Sequence, residues 1–205
     1  MPDKYLEKIL EILNEMYASD TYPNQWNQSF IHFIPKTNGD GVRPLAMTSC
    51  GSKLFELMPS NRLRWCVENN NILPKEQTGF RLGLSCNHNL TSLTLDVHTA
   101  FSEKKEVLAA FLDVAGAFNS VIPEILLEKL AAIGCSQKFI KFIKFLTYQI
   151  ELYTNETMDS PKIANIGLQQ GRVFSPILYT ICTADTFQKL PIVFRNLQYA
   201  NDAAL

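Results

Sequence analysis

Two short apolar runs, each carrying an aspartate, constrain this chain more than any other feature. Phe111-Leu112-Asp113 ends an apolar stretch that begins at Val107, and Asp202 lies within the final run, residues 199–205. Apolar runs of this kind are typical of β-strands buried on both faces. A fold that pairs the two runs brings together carboxylates from distant parts of the chain. Such a cluster of oxygens suits a hard divalent cation such as Mg²⁺.

Taken alone, each carboxylate has a simpler interpretation. Asp113 at the end of a buried strand, taken by itself, favours a salt bridge or a cap over a metal ligand, because a buried carboxylate needs a partner of some kind. Asn201-Asp202 is ordinary turn chemistry and predicts the tip of a hairpin. With only three residues after Asp202, the second strand of that hairpin is expected to pair poorly and to leave an open sheet edge.

A third segment, Gln170-Gly171-Arg172-Val173-Phe174-Ser175-Pro176, lies between the two runs. Its chemistry predicts a loop that leads into a helix. Gly171 permits close approach of another backbone, and the free N–H groups of a helix N-terminus favour anions. Ser175 fits the N-cap and Pro176 the first turn. A well-capped structural helix is the alternative interpretation.

Composition indicates a folded chain rather than a disordered one. Of 205 residues, 46% are hydrophobic and 19% are charged, and the formal net charge is −1. The chain as a whole therefore lacks the charge signature of a nucleic-acid-binding protein. A modest excess of Lys and Arg within residues 31–81 would suit either contact with phosphates or an ordinary solvated surface.

The five scattered cysteines contain no C-x-x-C pair, which predicts a reduced, intracellular protein without disulfides or a zinc knuckle. The three histidines show no metal-ligand spacing either. No apolar run approaches a membrane-spanning length, and the N-terminus lacks a secretory signal pattern. We therefore expect no membrane partner, while nuclear or cytoplasmic residence stays open.

Local patterns predict a mixed succession of helices and strands, which favours the α+β class. A helix with Asp3 as its N-cap is predicted over 3–18, and a strand over 29–34 that ends at Pro35 and returns in a hairpin by residue 47. Pro59 predicts a kink or a break in the helix over 49–68, because proline removes a helical hydrogen bond. The other predicted elements are a loop at 72–85, helices at 86–102, 123–133, 136–149 and 175–188, a buried central strand at 107–112, a strand-like piece before Gly167 and a strand at 193–199.

In this order along the chain, the segments resemble the reverse transcriptase domain of a non-LTR (LINE-type) retrotransposon. The likeness covers roughly residues 30–205 and includes Phe33-Ile34-Pro35-Lys36, Arg43-Pro44-Leu45, Ser52-Lys53-Leu54-Phe55-Glu56 and Glu76-Gln77-Thr78-Gly79-Phe80-Arg81-Leu82-Gly83-Leu84-Ser85. It implies a right-hand polymerase fold with fingers and an antiparallel palm sheet, and no thumb in the sequence given. The implied divisions are a helical segment at 1–28, a fingers-like region at 29–106 and a palm-like region at 107–205.

The resemblance implies roles for single residues. Asp113 and Asp202 correspond to metal-binding aspartates, within a hairpin that reads Tyr-Ala-Asp-Asp in the family. Phe118 corresponds to the aromatic gate that excludes ribonucleotides, and Gln170 and Gly171 line the incoming nucleotide. The basic residues implied to face the triphosphate or the template are Lys36, Arg43 and Arg81, whereas Gln77 and Phe80 belong to a finger motif without an assigned role. The implied cofactor is a pair of Mg²⁺ ions, and the implied partners are an RNA template, a DNA primer and a dNTP.

Departures from the family pattern bear on activity. Asn201 stands where the family carries the first aspartate of the hairpin, and a neutral amide binds Mg²⁺ poorly. Two-metal phosphoryl transfer needs both ions, so we expect weak or absent catalysis. Asn119 replaces the usual aspartate, Gln169 the usual proline and Arg172 a small residue.

The sequence thus favours an RNA-directed DNA polymerase domain with impaired chemistry. One alternative is a non-catalytic RNA-binding module, against which the near-neutral charge speaks mildly. The other is a decayed product without a role, which would unfold without cooperativity.

Overall fold

The computed structural model describes residues 2–37, 39, 41–148, 150–154, 160–165, 167–191 and 194–205. Its helices are α1 (Asp3–Ser19), α2 (Cys50–Asn69), α3 (Cys86–Ser102), α4 (Pro123–Ala132), α5 (Gln137–Thr147) and α6 (Ser175–Thr183), with a 3-10 helix at Asn24–Asn27. Its strands are β1 (Gln28–Pro35), β2 (Val42–Met47), β3 (Phe111–Asp113), β4 (Ile150–Tyr153), β5 (Lys162–Ala164), β6 (Leu197–Tyr199) and β7 (Asp202–Ala204). No helix in these ranges is both long and apolar enough to cross a membrane.

The strands form two sheets. The first has the order β2-β1-β4-β5, in which β1 pairs antiparallel with β2 and parallel with β4. The second has the order β3-β7-β6 and is antiparallel throughout. One mixed and one antiparallel sheet beside packed helices confirm the predicted α+β class. Since β1 and β4 come from the predicted fingers-like and palm-like ranges respectively, the first sheet joins both ranges, and the domain boundaries stay a prediction.

A core of aromatic and aliphatic side chains holds the helices together. Phe55 of α2 and Phe142 of α5 meet edge to face with ring centroids 5.2 Å apart, and Phe142 also contacts Phe174 at 5.9 Å. Helix α6 belongs to the same core, because six of its nine residues are buried and four of them lie in the hydrophobic cluster: Ile177, Leu178, Tyr179 and Ile181. One of them, Tyr179, packs toward the palm-like sheet and is described with the site below.

Helix α2 runs through Pro59 without interruption, so the predicted break is wrong. An internal proline costs about 3 kcal/mol. The cost is outweighed because α2 buries side chains on both sides of the proline, with Phe55 and Glu56 before it and Leu63 after it.

The prediction of a central strand buried on both faces at 107–112 is wrong. Strand β3 is short, lies at the sheet edge and is exposed, with Phe111 exposed to 73% and Leu108, just before it, to 95%. The central strand is instead β7, which the sequence predicted to pair poorly. It pairs with β3 on one side and β6 on the other, and its Ala203 is buried.

Several element ends differ from their predictions. Asp3 is the first helical residue rather than the N-cap, which is Pro2. Ser175 is likewise inside α6, whose N-cap is Phe174, while Pro176 occupies the first turn as predicted. Helix α6 ends earlier than predicted, and α5 gives way to strand β4, which the sequence did not predict.

Other predictions hold. Helix α3 spans the predicted 86–102, α4 and α5 lie within a residue or two of their predicted bounds, and β1 and β2 form the predicted hairpin. Two of its predicted turn residues, Asn38 and Asp40, lie outside the described residues.

Candidate active site

Strand register places Asp113 directly opposite Asp202. Ala110 and Leu205 exchange both backbone hydrogen bonds, at 3.0 and 2.9 Å. Counting along the antiparallel ladder from that pair makes Asp113 and Asp202 a non-hydrogen-bonded pair, the kind in which facing side chains lie closest. Like charges placed directly opposite each other destabilise a sheet unless a cation lies near them. The predicted meeting of the two carboxylates is therefore present, at an exposed end of the palm-like sheet, between edge strand β3 and central strand β7.

Asn201 lies beside this pair at the hairpin tip. Its Nδ2 donates a hydrogen bond to Oδ1 of Asp113 at 2.6 Å. Only the amide nitrogen can face the carboxylate, because a carbonyl oxygen in its place would repel it. The side chain that replaces the family's aspartate thus serves as a hydrogen-bond donor to Asp113 rather than as an oxygen ligand.

A stack of aromatic rings lies next to the carboxylates. Phe118 stacks on Tyr179 with centroids 5.0 Å apart and meets Phe80 edge to face at 6.0 Å. Burial raises the pKa of the Tyr179 hydroxyl, with smaller contributions from Cys182 and then from the charges of Asp113 and Asp202. Phe118 is held between two rings, and its role as a gate against ribonucleotides stays a prediction.

The Gln-Gly loop contacts the finger hairpin through its backbone. The N–H of Ala46 in β2 donates to the carbonyl of Gln170 at 2.7 Å. Gly171 has φ +106°, and a Cβ there would lie 2.6 Å from the carbonyl oxygen of Ala46. The predicted need for glycine is explained by this close approach.

Gln170, which the resemblance predicts to line the incoming nucleotide, and the two carboxylates line separate cavities. Gln170 lines one of about 620 Å³ beside the first sheet, whereas Asp113 and Asp202 line a smaller one of about 290 Å³. Lys36 and Arg43 are exposed on the β1–β2 hairpin, and neither forms an ion pair with another described residue.

Arg81 has a structural role in this geometry. Its Nε and Nη2 donate to the carboxylate of Glu68 at 2.9 and 2.5 Å, and its Nη1 donates to the carbonyls of Pro74 and Gln77. The Arg81 side chain is exposed to only 14%, and its guanidinium is hydrogen-bonded to other groups of this chain. The implied contact between Arg81 and a triphosphate therefore gains no support here.

A buried ionic network anchors the Gln-Gly loop, and sequence reasoning missed it. Arg172 donates from Nη1 to Glu56 at 3.0 Å, from Nη2 to the carbonyl of Trp26 at 2.7 Å and from Nε to Oε1 of Gln169 at 2.7 Å. Ser29 donates to the same Gln169 oxygen at 2.8 Å. Burial lowers the pKa of Arg172, and the charge of Glu56 opposes that shift. The sequence signal was the pair of departures from the family at Gln169 and Arg172, which are here bonded to each other.

The side chains present fit a divalent cation only in part. Asp113 and Asp202 supply facing carboxylates, but the residues described hold no cluster of three or more His, Cys, Asp or Glu side chains able to bind a metal ion. A third carboxylate would come from position 201, where the neutral Asn201 stands. Two facing carboxylates form only part of a cation site, and the set lacks the shared carboxylate that a two-metal site uses.

Comparison with known proteins decides the family. Residues 34–205 match the family described as "Reverse transcriptase (RNA-dependent DNA polymerase)". The chain belongs to the reverse transcriptase family. The match includes strand β2, the Gln-Gly loop and the whole palm-like sheet, and it begins near the end of β1.

Relatives of this reverse transcriptase domain occur in mobile elements of Drosophila melanogaster. It is 28% identical over 196 residues to a probable RNA-directed DNA polymerase from transposon BS, covering 90% of this chain and 21% of that protein. It is 28% identical over 200 residues to the RNA-directed DNA polymerase from mobile element jockey, and this match covers 94% of this chain and 22% of that protein. The chain spans about a fifth of the length of these relatives. Their names as polymerases of transposable elements confirm the predicted resemblance to a LINE-type reverse transcriptase.

Solved telomerase structures share the fold. Apo telomerase from Candida tropicalis, truncated from the C-terminal domain, matches with a TM-score of 0.64 at 13% identity, over 88% of this chain and 43% of that one. Telomerase from Candida albicans in complex with the TWJ fragment of telomeric RNA matches with a TM-score of 0.64 at 12% identity. That match covers 99% of this chain and 41% of the telomerase chain. These similarities confirm the predicted fingers-and-palm architecture.

Proposed function

We propose that this chain forms the fingers and palm of an RNA-directed DNA polymerase whose chemical step is impaired. Membership of the reverse transcriptase family and the facing pair Asp113 and Asp202 support the polymerase assignment. The hydrogen bond of 2.6 Å from Asn201 to Asp113 carries the claim of impairment.

The proposed partners follow from the charges and cavities around the site. Exposed Lys36 and Arg43 on the β1–β2 hairpin provide cations for the phosphates of an RNA template or an incoming dNTP. Gln170, which borders the cavity beside that hairpin, is the proposed contact to a dNTP whose triphosphate would lie at the carboxylates. The DNA primer would place its 3′ end near Asp113, because the attacking hydroxyl must lie beside the metal-binding carboxylates.

Asp113 and Asp202 are the residues that would hold Mg²⁺. When bound, Mg²⁺ supplies activation of the primer hydroxyl and neutralisation of the triphosphate. Asn201 opposes this in two ways. It contributes no negative charge, and its N–H donor already occupies one oxygen of Asp113. A cation at that oxygen would have to displace the amide.

The test is primer extension on an RNA template with Mg²⁺, comparing the unaltered chain with Asn201→Asp. We expect Asn201→Asp to extend primers at least on the order of 100-fold faster, since a charged group acting on the transition state is commonly worth that much. Asn201→Asp combined with Asp113→Ala is the matched control and should be silent. Thermal unfolding of all three proteins checks that each is folded.

A second measurement separates metal binding from turnover. Mn²⁺ titration, followed by the paramagnetic relaxation of water protons, should detect one ion on Asn201→Asp and much weaker binding on the unaltered chain. Equal Mn²⁺ affinity and equal extension rates in the two proteins would contradict the proposed impairment.

One observation favours a second candidate, a non-catalytic nucleic-acid-binding module. Because the Asn201 amide satisfies Asp113, the carboxylate pair can persist without a cation. RNA binding that weakens steeply with salt, with no nucleotide incorporation even by Asn201→Asp, would favour this candidate over the polymerase.

A further inference from the structure

The tip of the β6–β7 hairpin adopts an unfavourable backbone conformation. Tyr199 pairs with Asp202, so Ala200 and Asn201 form a two-residue turn. Ala200 has φ 57°, in the left-handed region that side chains other than those of Gly, Asn and Asp rarely adopt. Such a conformation persists only where surrounding contacts hold it in place.

Gln77 supplies those contacts through both ends of its side-chain amide. Its Oε1 accepts from the N–H of Ala200 at 3.0 Å and from the N–H of Gly79 at 2.9 Å. Its Nε2 donates to the carbonyl of Ala200 at 3.2 Å. Gln77 is exposed to only 2%, so water does not compete for these bonds. One side chain thus binds both polar groups of Ala200.

The segment that carries Gln77 lies along strand β6. Thr78 donates its N–H to the carbonyl of Gln198 at 2.9 Å, and Gln198 donates its own N–H to the carbonyl of Glu76 at 2.9 Å. At Gly79 the two backbones are so close that a Cβ would lie 2.1 Å from the nitrogen of Ala200. We call residues 76–79 the strap. It extends the palm-like sheet beyond β6 and reaches the hairpin tip.

We propose that Gln77 is a positioning residue of the active site, which sets the placement of Asn201 and Asp202 relative to Asp113. This inference rests on the proposed polymerase function. Asn201 follows Ala200 directly, so a change in the Ala200 peptide moves the side chains of positions 201 and 202 together. A displacement of about 1 Å in a catalytic group can cost on the order of 100-fold in rate. The strap, which belongs to the fingers-like range of the sequence, thereby controls the geometry of the palm-like carboxylates.

The amide chemistry of Gln77 is specific. A glutamate at this position keeps the acceptor for the Ala200 N–H but loses the donor to the Ala200 carbonyl, and sets a carboxylate against that oxygen. An alanine loses both bonds. Gln77→Glu and Gln77→Ala therefore form a graded series at one position.

Amide hydrogen exchange measured by NMR tests the contact directly. In Gln77→Ala we expect exchange at Ala200 to rise at least 10-fold relative to exchange at Ala203 in the centre of β7, with an intermediate rise in Gln77→Glu. Asn89→Ala is the matched control, because it removes a hydrogen bond of 2.8 Å to the carbonyl of Gln198 without touching the tip. A purely structural role predicts equal rises at Ala200 and Ala203, and that result would overturn the proposal. If Gln77→Ala does not fold, Gln77→Glu carries the same comparison.

Mn²⁺ binding tests the functional consequence in the Asn201→Asp protein. We expect Gln77→Ala to weaken Mn²⁺ affinity in that background about 10-fold and Asn89→Ala to leave it unchanged. Unchanged affinity in Gln77→Ala would refute the positioning role. If Asn201→Asp itself binds no Mn²⁺, the proposed polymerase site fails, and the exchange pattern at Ala200 still decides whether Gln77 holds the tip.

Discussion

At Gly79 and Gly171, one backbone approaches another so closely that no side chain fits between them. Gly79 meets the turn at the β6–β7 hairpin tip, and Gly171 meets strand β2. At Gly171 the reason was visible in the sequence, because a Gln-Gly loop before a helix predicts close approach. At Gly79 it was not, since the strap and the hairpin tip are more than a hundred residues apart in the chain and only the folded structure brings them together.

Gly79→Ala should destabilise the protein strongly. The new Cβ would lie 2.1 Å from the Ala200 nitrogen, and its neighbours there are backbone atoms that cannot swing away. We expect a loss of more than about 2 kcal/mol in the free energy of unfolding, because extra atoms in a fully packed region force the backbone to shift. Urea titration measures this loss. Gly51→Ala is the control. It lies in α2, where a Cβ would meet only ordinary contacts, and it should stabilise by about 0.5–1 kcal/mol. Equal effects at the two glycines would contradict the close approach.

At the scale of elements, the Gln-Gly loop is fixed to helix α2 by a buried ion pair. Arg172 is exposed to 5% and Glu56 to 0%, and Glu56 also accepts from Ser52 and from the N–H of Val173. Removal of one member of such a pair leaves an uncompensated buried charge, which is far more damaging than loss of both. The position of the loop beside β2 therefore depends on a contact between α2 and the residue just after Gly171.

Arg172→Met and Glu56→Leu should each destabilise the protein by about 3–5 kcal/mol, and the double variant by much less than the sum. A double-mutant cycle from urea unfolding measures the coupling. Lys8→Met provides the comparison, because the Lys8–Glu11 pair is 65% exposed at both ends and should contribute less than about 1 kcal/mol. Additive losses for Arg172 and Glu56 would show that the two charges act independently.

Element by element, the sequence predicted helices better than strands. Helix α3 spans its predicted bounds, whereas β4 and the central place of β7 were missed. The reason is physical: a helix closes its hydrogen bonds within its own residues, while a strand depends on partners elsewhere in the chain. The same reason explains the site. The meeting of Asp113 and Asp202 followed from two acidic strand ends and the family resemblance, but the contacts of Arg81 and Gln77 depend on tertiary packing.

At the scale of the whole molecule, two weakly acidic groups, Cys135 and Tyr22, lie half-buried against the helical core. Burial, with a smaller contribution from Cys66, raises the pKa of the Cys135 thiol from 9.0 to about 11. Burial also raises the pKa of Tyr22 from 10.0 to about 12, with smaller contributions from Asp20 and Tyr17. A raised pKa means that the folded state holds its proton more tightly than the unfolded state does, so stability is complete below the unfolded pKa and is lost above it.

The free energy of unfolding should therefore fall as the pH rises from about 9 to 11, the window set by the unfolded and folded pKa of Cys135. Urea unfolding at a series of pH values measures this slope. Cys135→Ala removes one titrating group and should flatten it, whereas Cys50→Ala, at an exposed cysteine, should leave it unchanged. A slope that is the same in all three proteins would contradict the assignment to Cys135.

The hydrogen bond from Arg172 to Gln169 also has a consequence for the evolution of this sequence. The family carries a proline and a small residue at these positions. Restoring the proline alone removes the acceptor shared by Arg172 and Ser29, and restoring the small residue alone leaves Glu56 without its cation. Each reversion alone removes contacts that this chain uses, and Gln169 loses one of its two donors whenever Arg172 is replaced. The two positions are therefore coupled, and the effect of a change at one depends on the residue at the other.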